Sequence, residues 1–166
     1  MTSPDAGAAL PPVDELYARH GRSVLRRIRR FYDGQEAEEV LHEVFETLLR
    51  HGHTFRGDAS PTTWLYRVTT RHCLGRLRNE RRRAELFEQH GAPAWAAPVT
   101  PADQETRATL ARLWNQLDPE LLEIAVYHWI DGLPRDDIGA MLGVTGRTVS
   151  NRLQQLVKLA RAEEGT

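Results

Sequence analysis

DGLPRDDIGAMLGVTGRTVSNRLQQLVKLAR, residues 131–161, reads as two helices joined by a tight turn. Pro134 suits a first helical position, and Asp136 and Asp137 place negative charge in the first turn, where the helix dipole favours it. Ile138, Met141 and Leu142 supply the apolar side of that short helix. Gly143 can take the left-handed conformation that ends a helix, and the turn is Gly143-Val144. Thr145 then caps a second helix, in which Val149, Leu153, Leu156 and Ala160 fall on one face at helical spacing. The other face carries Arg147, Thr148, Asn151, Gln155 and Lys158. Cationic donors there suit phosphates, and amide and hydroxyl groups suit base edges. The stretch therefore predicts a helix-turn-helix whose second helix enters a major groove near its N-terminus.

Outward from that stretch, composition sets the bounds. A chain of 166 residues holds one ordinary domain or two small ones. Its net charge of -1 conceals a strong asymmetry. Residues 18–83 carry 15 arginines against 8 carboxylates, whereas the remainder has 7 basic residues against 15 carboxylates. A basic front half suggests a polyanionic partner. Cys73 is the single cysteine, which excludes an intrachain disulfide and is compatible with a reducing compartment. Residues 1–12, rich in small residues and proline, lack periodicity and are expected to be a disordered tail. With no long apolar run or signal peptide, the expectation is a cytoplasmic protein without direct membrane insertion.

The pattern upstream is helical throughout. A first helix is expected over Val13 to Phe31, with Leu16, Val24, Leu25, Ile28 and Phe31 apolar and Asp33-Gly34 as its stop. Arg26, Arg27, Arg29 and Arg30 crowd its end, where cations suit the dipole. A second, over Glu36 to Arg50, has a core stripe of Val40, Leu41, Val44, Phe45, Leu48 and Leu49. Glu36, Glu38, Glu39, His42, Glu43 and Glu46 occupy its early and outer positions, as a solvated face or as a docking face for a positively charged protein. The glycine-containing segment His51 to Ser60 reads as a loop. Ser60 and Pro61 then open a third helix with Trp64, Leu65, Val68, Leu74 and Leu77 on its core side. Arg67, Arg71, Arg76, Arg78, Arg81, Arg82 and Arg83 coat much of the remainder. A loop bearing Phe55 and Arg56 beside that helix could hold an unpaired strand, with Phe55 either stacking a base or anchoring the loop.

Gly, Ala and Pro dominate from Leu86 to Gln104, with no helical stripe. Beyond lie Leu110, Leu113, Trp114 and Leu117, then an Asp118-Pro119 cap, then Leu121, Ile124, Ala125 and Trp129. With the opening stretch these make a four-helix unit. The expected fold is thus all-α: a tail (1–12), a helical domain (13–84), a flexible Pro/Ala/Gly-rich linker (85–105) and a helix-turn-helix domain (106–162). His51, His53, His72 and Cys73 are metal-ligand types, but their spacing fits no structural-zinc pattern, and adjacent residues on a helix point about 100° apart. No nucleophile elbow, phosphate-binding glycine loop or carboxylate pair in an apolar pocket is present, so neither catalysis nor a cofactor is expected.

Three segments carry a family resemblance: EAEEVLHEVFETLL (36–49), TWLYRVTTRHCLGRLRNERRR (63–83) and LWNQLDPELLEIAVYHWIDGLPRDDIGAMLGVTGRTVSNRL (113–153). Together, in this order, they resemble the two conserved regions, 2 and 4, of bacterial sigma factors of the extracytoplasmic-function group. The resemblance implies a first domain that binds core RNA polymerase through Glu39, His42, Glu43 and Glu46. It implies a minus-ten surface of Phe55, Arg56, Arg67, Arg71, Arg78 and Arg82 that opens promoter DNA. It implies minus-thirty-five recognition by Arg147, Thr148, Asn151, Arg152, Gln155 and Lys158, and an anti-sigma factor as a further partner. The chain departs from the family pattern at Arg71, where Asn is usual, at Gly75, often Asp or Asn, and at His42, usually Gln. From the residues alone, a helix-turn-helix regulator acting without polymerase stands as the alternative.

Overall fold

Pro12 precedes the first helix and leaves its opening turn to Asp14 and Glu15, whose carboxylates lie where the helix dipole is positive. In the computed structural model, which describes residues 9–88 and 117–164, this helix, α1, spans Val13–Ile28. It ends before the expected Phe31, where the amides of Arg30 and Phe31 bond to the carbonyls three residues back, Arg27 and Ile28, at 3.1 and 2.8 Å and tighten the last turn. The gap in its apolar stripe between Leu16 and Val24 is filled by buried Gly21. Helix α2, Gly34–His51, buries Ala37, Val40, Leu41, Val44, Phe45 and Leu48. Leu49, expected in that core, is instead 71% exposed. A 3-10 turn, Gly52–Thr54, follows and leads into an irregular stretch ending at Ser60.

Ser60 accepts a hydrogen bond from the Thr63 amide on its Oγ at 3.1 Å, capping α3 (Pro61–Glu88), which runs past the expected domain limit at residue 84. The chain divides into two compact units, Met1–Cys73 and Leu74–Thr166, with the division falling inside α3. In the first unit the core is built from Leu16, Val24, Ile28, Val40, Val44, Leu48 and Leu65, each contributing roughly 1.5–3 kcal/mol on burial. The rings of Tyr17 and Phe45 meet edge to face at 4.9 Å.

In the second unit Asp118 accepts from the Glu120 amide at 2.8 Å and Pro119 follows, so α4 (Pro119–Ala125) starts as the sequence predicts. It continues as a π-helical turn, Val126–Ile130, closed by the Asp131 amide on the Val126 carbonyl at 3.0 Å. Trp129, expected on the apolar stripe, is half exposed, while Leu122, Ile124, Val126 and Tyr127 are buried. Helix α5 spans Arg135–Leu142 with Pro134 just ahead of it, one position earlier in the cap than expected, and Asp136 and Asp137 in its first turn. Gly143 ends it at φ 71°. Thr145 accepts from the Thr148 amide at 3.1 Å and opens α6, Gly146–Glu164, whose Val149, Leu153 and Leu156 are buried.

The turn between α5 and α6 is tight enough to dictate a residue. A Cβ on Gly139 would stand 2.6 Å from the Val144 carbonyl oxygen, closer than side chains approach backbone, and a tight 3.1 Å from the Gly146 amide nitrogen. Gly139 therefore sets how near the two helices can pass. Among the described residues there is no strand, and no helix is long and apolar enough to cross a membrane. The expected tail up to residue 8, most of the expected linker, and Leu110, Leu113 and Trp114 lie outside the described residues.

Candidate nucleic-acid interface

Helix α6 buries one side, so its outward positions follow from helical geometry. Arg147, Asn151, Gln155 and Lys158 are all exposed, separated by four, four and three residues, and thus lie along one flank. That flank offers a guanidinium and an ammonium for phosphates and two amides able to pair with base edges. Thr148 is half-buried, and both its amide and its hydroxyl are engaged with Thr145, the latter at 2.9 Å. That pairing opens the first turn of the helix. Arg152 is also half-buried, and its guanidinium pairs with the Glu120 carboxylate of α4. The structure thus gives Arg152 an intramolecular partner and makes it a brace between α4 and α6.

Arg135, which the sequence pattern did not single out, donates from Nη1 to Ser150 Oγ at 3.3 Å, and Ser150 in turn donates to the Gly146 carbonyl at 3.0 Å. An exposed guanidinium at the start of α5 therefore lies beside the first turns of α6. Its position two residues after Leu133, outside the periodic set, left no signal in the sequence.

In the first unit Phe55 is half-buried and packs edge to face on Trp64, with ring centroids 5.3 Å apart. The ring anchors the loop to α3, and the loop presents Arg56, which is exposed. Arg67 is half-buried and Arg71 exposed, one helical turn apart on α3. Of the two positions expected in the same set beyond Cys73, Arg82 is exposed, whereas Arg78 donates from Nη2 to the Leu117 carbonyl at 2.9 Å.

The cation that organises the first unit is one of the arginines that the sequence places as dipole partners at the end of α1. Arg27 is only 6% exposed. Its Nε and Nη2 donate to Thr70 Oγ1 at 3.2 and 3.1 Å, and that hydroxyl donates to the Tyr66 carbonyl at 2.9 Å. The guanidinium also lies over the Tyr66 ring at 4.5 Å and the Phe31 ring at 5.1 Å. Its spacing of three from Val24 was the available clue.

On α2, Glu39, His42 and Glu46 are exposed, and Glu46 reaches Arg50 at 3.5 Å, a solvated pair worth well under about 1 kcal/mol. Glu43 is half-buried and its Oε2 lies 3.0 Å from His72 Nε2 on α3. Among the described residues no group of three or more His, Cys, Asp or Glu is placed to hold a metal ion; Cys73 is buried and His72 is engaged by Glu43.

The family model of sigma-70 region 2 matches residues 16–83. The chain is 31% identical over 157 residues to the ECF RNA polymerase sigma factor SigE of Mycolicibacterium smegmatis, covering 89% of this chain and 60% of that protein. It is 29% identical to the RNA polymerase sigma-H factor of Pseudomonas aeruginosa, covering 84% and 79%. Among solved structures, it resembles the sigma factor RpoE in complex with the anti-sigma factor NepR from Bartonella quintana, with a TM-score of 0.49, 14% identity and coverage of 90% and 94%. The chain spans less than two thirds of the length of the mycobacterial relative.

Proposed function

We propose that the chain is an RNA polymerase sigma factor of the extracytoplasmic-function group, a transcription initiation factor that carries core polymerase to particular promoters. The observation that carries this is the presence, in one chain, of a region 2 match over residues 16–83 and a helix-turn-helix over 135–164 with an exposed polar flank. In this proposal the exposed Glu39, His42 and Glu46 of α2 dock on a basic surface of the polymerase, with Glu43 contributing from its pairing with His72. Arg56, Arg67, Arg71 and Arg82 hold strand phosphates of the minus-ten element, with Phe55 fixing the loop that presents Arg56. Unstacking DNA costs a few kcal/mol per step, so a factor that opens it needs a cationic surface to retain the separated strand.

Arg147, Asn151, Gln155 and Lys158 read the minus-thirty-five element, and Arg152 and Thr148 shape the helix that presents them. The polymerase supplies the bond-making chemistry, and the chain itself acts in the cytoplasm as a non-enzymatic specificity factor. An anti-sigma factor, holding the chain idle until it is needed, completes the proposal.

Run-off transcription with core polymerase on a pool of random promoters tests it. Discrete start sites that appear only when the chain is added are expected. Absence of any chain-dependent start would overturn the proposal, and duplex footprinting without polymerase recruitment would assign the chain to stand-alone regulators.

A further inference from the structure

The outer side of α1 has no part in the function proposed above, yet it holds a concentrated charge. Leu16, Val24, Arg27 and Ile28 face inward, while Arg19, Arg22, Arg26, Arg29 and Arg30 are exposed. Two of the five are neutralised within the chain, Arg19 by Glu15 at 2.5 Å and Arg29 by Glu38 at 3.4 Å. Arg26 reaches only the Ser23 hydroxyl, at 3.3 Å, and Arg22 and Arg30 have no partner among the described residues. These three recur every fourth residue, a rise of about 6 Å per step along a helix. Arg30 sits in the turn just after α1, held by its amide on the Arg27 carbonyl at 3.1 Å. No carboxylate interrupts the run from residue 16 to residue 32.

We propose that Arg22, Arg26 and Arg30 form a second DNA-contact surface, which engages the backbone phosphates of duplex DNA without reading sequence. The choice of partner follows from what the track lacks. A protein partner needs an apolar or aromatic anchor at the centre of the interface, and the exposed large hydrophobic side chains of this unit are Tyr17 and Leu49, neither lying between Arg22 and Arg30. An unpaired strand needs aromatic faces for its bases, and of the two rings that follow the track in sequence, Phe31 is half-buried and faces the Arg27 guanidinium while Tyr32 is buried. Duplex phosphates need only charged donors at regular intervals, and guanidiniums supply two such donors each. In a chain of net charge -1, this charge is local and not a property of the whole surface.

Binding of the full-length chain to a mixed-sequence fluorescent duplex, and to a single strand of the same length, is measured as a function of salt. Each phosphate neutralised contributes about 0.9 to the slope of log affinity against log salt. The triple change Arg22→Gln, Arg26→Gln, Arg30→Gln is expected to lower the duplex slope by about 2–3 and to leave single-strand binding nearly unchanged. The corresponding triple Lys variant retains charge and is expected to keep most of the slope, which separates loss of contact from loss of fold. An unchanged duplex slope in the Gln variant overturns the proposal, as does equal loss on duplex and single strand, or failure of the wild-type chain to bind duplex at low salt. Loss confined to capture of core polymerase assigns the track to a protein surface and overturns it too. Arg147→Ala, run in parallel, reports on α6 alone, so failure of the recognition helix and failure of this track are read separately.

Discussion

Arg27 shows what one residue contributes when its charge is enclosed. Its hydrogen bonds reach Thr70, 43 residues away, and two aromatic rings flank the guanidinium plane. Charge-assisted hydrogen bonds and a desolvated cation–π contact together imply that Arg27→Ala destabilises the first unit by about 2–4 kcal/mol. Urea unfolding followed by circular dichroism should show the lowered midpoint. Arg27→Lys should recover only part of the loss, because an ammonium cannot present the planar fork. On α6 the exposed side chains act singly. Asn151→Ala is expected to relax base preference at one promoter position by about 1–3 kcal/mol, whereas Arg147→Ala lowers affinity evenly across sequences and reduces the salt slope by about 0.9. Competition binding on a library of minus-thirty-five variants distinguishes the two behaviours. The exposure of these residues was legible because a single helix wheel decides it. The enclosure of Arg27 and the pairing of Arg152 with Glu120 were not, since both depend on partners far away in the chain.

Helix boundaries were legible wherever a local cap defines them. Ser60, Asp118 and Thr145 each accept a backbone amide in the structure, and Gly143 adopts its positive φ, all from chemistry within four residues. The early end of α1 and the π-helical turn after α4 had no such marker. In the turn, the Tyr127 hydroxyl donates to the fully buried Glu123 carboxylate at 2.7 Å, and the Leu133 amide closes onto the Tyr127 carbonyl at 2.9 Å. A buried acid with a tyrosine one turn later leaves no periodic signature of that kind. Thr145→Ala removes the cap of α6 and should lower stability by about 1 kcal/mol. Because the cap starts the turn that bears Arg147 and Thr148, thermal melting and minus-thirty-five affinity should decline together.

Across the whole chain, charge is divided unevenly, with 15 arginines against 8 carboxylates in residues 18–83 and the reverse tendency elsewhere. Within that basic stretch the carboxylates concentrate on α2, where Glu39 and Glu46 are exposed and Glu43 is tied to His72. The pairing makes Glu43 a poor probe of docking, since changing it also removes a contact between α2 and α3. The double change Glu39→Arg, Glu46→Arg should reduce capture of core polymerase about tenfold or more by juxtaposing like charges, with the melting temperature of the free chain little altered. Pull-down with tagged core polymerase, beside a melting curve, checks both halves of that expectation.

Gly139 faces main-chain atoms of the following turn, and that gives it a genetic signature. Replacement by any larger residue forces Val144 to Gly146 apart, and no exchange of a neighbouring side chain can restore the lost space. Screens for second-site suppressors of Gly139→Val should therefore yield true revertants, or changes that relieve the defect through some other part of the protein, but no compensating partner at the crossing itself.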